Sequence, residues 1–132
     1  MTDLESRISR ARYVNLATFR RDGREVRTPV WMAEAEGRHF VFTARHVGKV
    51  KRLRHNPRLR LAVCDMRGAL RSDWLEGSAT FVTDPASLNL GYRALRAKYG
   101  WQMRLIDLGS WLSGRLNQRE LIEITPEATP RP

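Results

Sequence analysis

Apolar positions along the chain repeat mostly every second residue, in short runs broken by Gly, Pro, Asn and Asp. A period of two marks half-buried strands, and a period near 3.6 marks a helix. The chain opens with the second kind. Thr2-Asp3-Leu4-Glu5 fits a capping box, and Leu4, Ile8 and Ala11 make one apolar stripe of a short helix. Tyr13–Phe19 then reads as a strand, Arg21-Asp22-Gly23 as a turn, and Glu25–Met32 as a second strand. Pro29 lies inside that strand and cannot donate to a ladder, so it marks an edge or a bulge. After the Glu36-Gly37 turn, Arg38–Thr43 reads as a third strand, and the three predict an antiparallel meander.

The second half alternates helix and strand. Val47–His55 reads as a short basic helix with Val47, Val50 and Leu53 on its apolar side, stopped by Asn56-Pro57. Arg58–Asp65 is a fourth strand and Met66–Arg71 a loop around Gly68. Trp74–Thr83 is a fifth strand, with Gly77 read as a bulge. Asp84-Pro85 starts a helix, with Asp84 as N-cap, and Leu88, Tyr92, Leu95 and Tyr99 give its apolar spacing up to Gly100. Trp101–Gln118 reads as a loop with a broken helix, and Arg119–Thr125 as a closing strand. The expected fold is mainly β: an antiparallel, closed or nearly closed barrel of about six strands with short helices at its ends. Residues 1–126 are expected to form one domain and residues 127–132 a flexible tail.

Charge changes this picture. Twenty-four Lys and Arg face fourteen Asp and Glu in 132 residues, a formal net charge of +10. Such a balance suits an anionic partner, or a surface kept soluble by arginine. From Gly37 to Cys64 there is no acidic residue, while Arg38, Arg45, Lys49, Lys51, Arg52, Arg54, Arg58 and Arg60 are all basic. That stretch is a candidate anion site. The single cysteine, Cys64, excludes an internal disulfide and a Cys-rich zinc site. With no signal-peptide layout at the N-terminus and no apolar run long enough to span a bilayer, a cytoplasmic setting is expected.

Catalytic chemistry is sparse. There is no Gly-x-Gly-x-x-Gly, no Walker loop and no Gly-x-Ser-x-Gly elbow. His39, His46 and His55 share no helix face, which argues against a metal site. Cys64 reads as a small core residue, and no two carboxylates read as an acid/base pair. No catalytic residue is assigned; if the protein is an enzyme, a cofactor carries the reaction. The strongest constellation runs from Thr43 to Arg54. A strand ends at Thr43, and a basic helix starts near Gly48, whose backbone permits close approach. Backbone N–H groups at a helix start favour phosphate, and Lys49 and Arg52 lie one turn apart. Arg27, on a neighbouring strand, could complete the clamp. The alternative is a solvated basic helix.

Several segments, in order, resemble the pyridoxamine 5′-phosphate oxidase-like split β-barrel family. They are Tyr13–Phe19 with Asp22-Gly23, Arg27-Thr28-Pro29-Val30-Trp31, Phe40–Thr43, Gly48–Leu59 with its Lys-then-Asn-Pro pattern, Trp74–Ala79 and Leu121–Pro126. Lys49–Leu59 and Ala62–Gly68 are most similar to the small members that depend on the deazaflavin coenzyme F-420. The resemblance implies a homodimer with cofactor sites at the subunit interface, binding F-420 or alternatively FMN. It implies hydride transfer to a planar unsaturated small molecule. It assigns Lys49 to the cofactor phosphate, Thr43 to the phosphate or ribityl chain, Arg27 to a phosphate-binding position, and Thr28, Pro29, Val30 and Trp31 to the strand lining the ring. Gly48, Lys51 and Arg52 join the set, the last two toward the phosphate or the acidic tail of F-420. Trp74, Trp111 and Arg115 are candidates from the second subunit. The chain is shorter than the oxidases proper and lacks their C-terminal Trp and Arg segment in matching form, which argues against pyridoxal phosphate synthesis. The competing readings are a non-catalytic carrier or haem-handling protein, and a nucleic-acid-binding barrel. Against the last, Phe40, Phe42 and Trp31 fall where the core needs them.

Overall fold

The computed structural model describes residues 2–44, 48–112 and 119–127. Helix α1 (Asp3–Arg10) starts at the expected capping box: the Glu5 N–H donates to Thr2 Oγ1 at 3.1 Å, and the Thr2 N–H reaches back to Glu5 Oε2. It is followed by β1 (Tyr13–Phe19), β2 (Glu25–Val30), β3 (Met32–Ala35) and β4 (Arg38–Ala44). Helix α2 (Gly48–His55), β5 (Arg58–Cys64) and β6 (Leu75–Phe81) come next. Helices α3 (Pro85–Tyr99) and α4 (Trp101–Leu112) precede the closing strand β7 (Arg119–Pro126).

All seven strands belong to one sheet, in the order β2-β1-β5-β6-β7-β4-β3, and every pairing is antiparallel. Strands β2 and β3 are separated only by Trp31, yet they form opposite edges of the sheet. The sheet must therefore curl until its edges meet at Trp31, which makes it a barrel split along one seam. This corrects the expected meander. Glu25–Met32 is not one strand, and β2 pairs with β1 alone, while β3 turns away to pair with β4. The physical reason lies at the seam: Pro29 has no N–H to give a further neighbour, so β2 ends the ladder as an edge. The β3–β4 turn places both Glu36 (φ 54°) and Gly37 (φ 75°) in the left-handed region, which a two-residue hairpin requires. Gly77 is not a bulge, because register runs unbroken from Arg58↔Ser78 to Leu61↔Leu75. A Cβ there would lie 2.9 Å from the Thr125 carbonyl oxygen, so glycine is needed for close strand approach.

Period-two alternation gives the sheet two buried faces. Val14, Leu16, Val30, Met32, Val41, Leu59, Leu61, Ile122 and Ile124 fill the barrel, with Ile8 of α1 and Leu53 of α2 added to that core. The next residues along the same strands, Ala33, Phe40 and Leu121, face outward under Leu95 and Tyr99 of α3 and Met103 of α4. In place of the expected loop with a broken helix over Trp101–Gln118, residues Trp101–Leu112 form one continuous helix, α4, and residues 113–118 lie outside the described residues. Its periodicity is masked because apolar residues occupy both its buried and its exposed sides. No described helix is long and apolar enough to cross a membrane. Of the expected tail, only Glu127 lies within the described residues.

His39 is buried on β4, with Nδ1 3.3 Å from the Ser9 hydroxyl of α1. Burial holds its pKa below the ordinary 6.5, against the opposing pull of Glu34, Glu5 and Glu123. The unfolded chain therefore takes up a proton that the folded chain resists. His39's contribution is fully present above about pH 6.5 and is lost as pH falls toward its own lower pKa. Thermal melts across that window should show a fall in Tm that His39→Gln flattens. Identical slopes for both proteins would remove this account.

Candidate functional site

The outward rows of β1, β2 and β4 meet the seam at one cavity of about 330 Å³. Its walls are Tyr13 of β1, Pro29 and Val30 of β2, Trp31 of the seam, Phe42 of β4, Lys49 of α2, Met66 and Ile106 of α4. Trp31 is held in place from behind. Its indole stacks on Tyr99 at 4.4 Å and 7° and tilts against Phe42 at 6.3 Å. Tyr99 Oη accepts the Met32 N–H at 3.0 Å and donates to the Arg12 carbonyl at 2.9 Å, so α3 ties the residue after the indole to the backbone just before β1. Lys98 Nζ donates to the Ser9 carbonyl at 3.0 Å and also to the Met32 carbonyl. Burial pushes the Tyr99 phenol up to about 12 and pulls Lys98 down to about 8. The 66–68 loop is pinned beside the cavity by Asn15 Nδ2, which donates to the Gly68 carbonyl at 3.1 Å.

Lys49 is the cavity's cation. It is half-buried, and among the described residues no carboxylate pairs with it. Burial, and then the Arg52 charge, hold its pKa below the ordinary 10.5. A partly desolvated ammonium without an anion is a site that an anionic ligand would stabilise. Four arginines of the surrounding basic stretch are, by contrast, paired with carboxylates from other strands. Arg38 pairs with Glu123 (2.7 Å), Arg54 with Glu120 (3.0 Å), Arg58 with Glu76 (3.9 Å) and Arg60 with Glu25. Four of the eight cations in the run without acids are thus compensated in space. Lys49, Lys51 and Arg52 remain without a carboxylate partner among the described residues.

The sequence-derived residues divide between several places. Pro29, Val30, Trp31 and Lys49 line the cavity together. Lys51 and Arg52 line a second cleft of about 170 Å³ with Phe19, Arg21 and His55. Arg52 Nε donates to Thr18 Oγ1 at 2.7 Å, which aims the guanidinium along α2. Gly48 begins α2, where a Cβ would meet Arg52 Nη1 at 2.7 Å. Thr28, paired with the barrel-facing Leu16, and the buried Thr43, two residues beyond Val41, fall on the barrel-facing rows. Arg27 shares the outward row with Pro29, but its Nε donates to Glu25 at 2.8 Å, and its guanidinium lies 4.9 Å from the centre of the Trp74 ring. Arg45, His46, Val47 and Arg115 lie outside the described residues, as does the side chain of Trp111. Tyr13, Phe42, Met66 and Ile106 also line the cavity, and no local motif marks them as site residues. Strand parity identifies Phe42, two residues beyond the outward Phe40; Ile106 sits in the segment that the sequence predicts as a loop with a broken helix, too irregular to assign a face.

Cys64 is buried on β5, opposite Tyr13, and burial followed by the Asp65 charge pushes its thiol pKa up. A raised pKa and burial make an inert thiol. Cys64→Ser is expected to lower stability by ~1–3 kcal/mol by burying a hydroxyl, and to leave ligand affinity unchanged in titration. Lost affinity with an unchanged Tm would give the thiol a role in binding.

A curled antiparallel sheet split at one seam, with an aromatic and cationic cavity on its outer face, defines a protein of the split-barrel class. The family model described as pyridoxamine 5′-phosphate oxidase matches residues 2–129, and the chain belongs to that family. Among solved structures, it is similar to a conserved hypothetical protein from Mycobacterium tuberculosis, with TM-score 0.71 and 23% identity over 97% of this chain and 82% of that one. It is similar to an F420 reductase, with TM-score 0.62 and 22% identity over 97% of this chain and 96% of that one. It is also similar to HutZ, the haem storage protein of Vibrio cholerae, with TM-score 0.63 and 18% identity over 96% and 91%. At these identities the likeness establishes the fold. No curated protein matches the chain.

Proposed function

We propose that this chain is a deazaflavin (F-420)-dependent oxidoreductase that passes a hydride to a planar unsaturated small molecule. The observation that carries the reading is the half-buried Lys49, without a carboxylate partner among the described residues, in a cavity walled by Trp31, Phe42, Pro29 and Val30. A flat apolar wall beside a bare cation fits a tricyclic ring joined to a phosphate. The deazaflavin, when bound, supplies hydride chemistry at its ring; the chain's own residues orient the ring, neutralise its phosphate and exclude water. Lys49 would hold the phosphate. The β2 edge at Pro29–Trp31 would face the ring, and Tyr99 would keep the indole of Trp31 in place.

FMN offers the same ring and phosphate and is the second reading. The cleft of Arg21, Lys51, Arg52 and His55 favours F-420, whose acidic tail needs cations beyond the phosphate. Arg27 is also within reach of an extended ligand if Glu25 releases it. The open face of the cavity supports a homodimer in which a second subunit completes the site, and the single cysteine suits the cytoplasm.

Fluorescence-monitored titration with F-420 and, separately, FMN at two salt concentrations tests the reading. Tight F-420 binding that survives added salt, with weaker FMN binding, is the expected result. Tighter FMN binding would exchange the cofactor. Binding of neither, with steep salt-sensitive binding of nucleic acid, would overturn the proposal.

A further inference from the structure

Helix α4 carries an apolar row turned to solvent. Trp101, Leu105, Leu108 and Leu112 are 69%, 57%, 51% and 69% exposed. Their spacing of four, three and four residues is that of a helix–helix seam, which keeps all four on one side of α4. The helix is anchored elsewhere: Met103 is buried under α3 and Ile106 lines the cavity. A contiguous apolar row of this kind marks an interaction surface.

Two features select the partner. The chain has a net charge of +10, yet residues 101–112 contain only Arg104 and Asp107 as charged groups. Asp107 is already held by Arg96 at 2.8 Å and Arg119 at 2.6 Å. An anionic membrane or nucleic acid would be met by cations flanking the row, and besides Asp107 the only charged residue in α4 is Arg104. The row is also self-complementary. Trp101 and Leu112, like Leu105 and Leu108, are equidistant from the helix midpoint between Ile106 and Asp107, so reversing the helix reproduces the row. A row that reads the same in both directions can pack on a second copy of itself about a two-fold axis, each i-to-j contact being repeated as j-to-i.

We infer that a second copy of this chain covers the row, with α4 packed antiparallel on the partner's α4. Leu105 meets the partner's Leu108, and Trp101 meets the partner's Leu112. The contact forms the apolar centre of the interface and buttresses α4 as the cavity wall that carries Ile106. It rests on the homodimer reading above and adds to it the surface that joins the subunits.

Light scattering on the full chain during size exclusion tests both. The wild type is expected at twice the chain mass, and the Leu105→Glu, Leu108→Glu double variant at the chain mass with its melting curve preserved. A cross-linking arm covers the case in which that variant misfolds. Leu105→Cys and Leu108→Cys proteins, mixed and oxidised, should form a disulfide-linked dimer, while each alone forms little; buried Cys64 takes no part. A monomeric wild type would remove the homodimer reading altogether, and capture of that monomer by anionic vesicles would assign α4 to a membrane. A dimer unaffected by the glutamates, or one lacking the mixed disulfide, would keep the homodimer and overturn the α4 pairing.

Discussion

Lys49→Ala is expected to raise the Kd for F-420 or FMN by roughly ten- to a hundred-fold, the range spanned by losing one charge-assisted contact. The same substitution should leave the ligand-free protein as stable as before, or slightly more so. Both signs come from one observation. The Lys49 ammonium is half-buried, and burial and Arg52 both hold its pKa below 10.5. In the folded, ligand-free protein its charge is a cost, so removing it relieves the fold. In the complex the same charge meets an anion, so removing it weakens binding. A purely structural lysine would show the opposite pattern, a lower Tm with affinity intact. Lys49→Arg, which keeps the charge but changes its reach, should lose less affinity than alanine. The pH dependence follows from the lowered pKa. Affinity should hold while Lys49 is protonated, then decline as pH rises through a pKa below that of an ordinary lysine. Lys49→Ala should lack that decline. An alanine variant that binds as tightly as the wild type would detach Lys49 from the site.

The elements with a single clean period were legible in the sequence. Thr2–Glu5, Tyr13–Phe19, Glu36-Gly37 and Asp84–Gly100 each carry local chemistry that decides their form: a cap, β-branched alternation, a turn needing positive φ, an N-cap followed by Pro. What local chemistry does not contain is pairing. Nothing at Trp31 states that Val30 and Met32 belong to opposite edges of one sheet, because that follows from closure of the whole barrel. The same limit shaped the candidate site. Lys49 and the Pro29–Trp31 edge stand out by residue type and by family resemblance, and the fold brings them together. The charge run at 37–64 is different. Its apparent lack of acids is a property of the chain order, and Glu25, Glu76, Glu120 and Glu123 arrive from β2, β6 and β7 to neutralise four of its arginines. Sequence-local charge overstates the electrostatic field wherever strands from distant segments are neighbours.

Gly91→Ala is expected to destabilise the fold by ~1–3 kcal/mol, the usual cost of overpacking, although alanine is the better helix former. The conflict is decided by space. A Cβ at Gly91 would lie 2.5 Å from Leu121 Cδ2 and 2.9 Å from Phe40 Cδ1. Both neighbours are essentially fully buried, in the layer between α3 and the outward rows of β4 and β7, so neither can swing into solvent. An exposed helical glycine would instead gain up to ~1 kcal/mol on substitution by alanine. Relief at Gly91 requires α3 to lift from the sheet, and α3 ends at Tyr99, whose hydroxyl holds Met32 and whose ring backs Trp31. The lost stability should therefore come with weaker ligand binding, although Gly91 does not line the cavity. Gly91→Val should exaggerate both effects. Thermal melts and the cofactor titration on the same samples check the coupling. A stabilised Gly91→Ala protein would show that α3 does not press on the sheet at this point. A destabilised one with unchanged affinity would show that Trp31 keeps its position without α3.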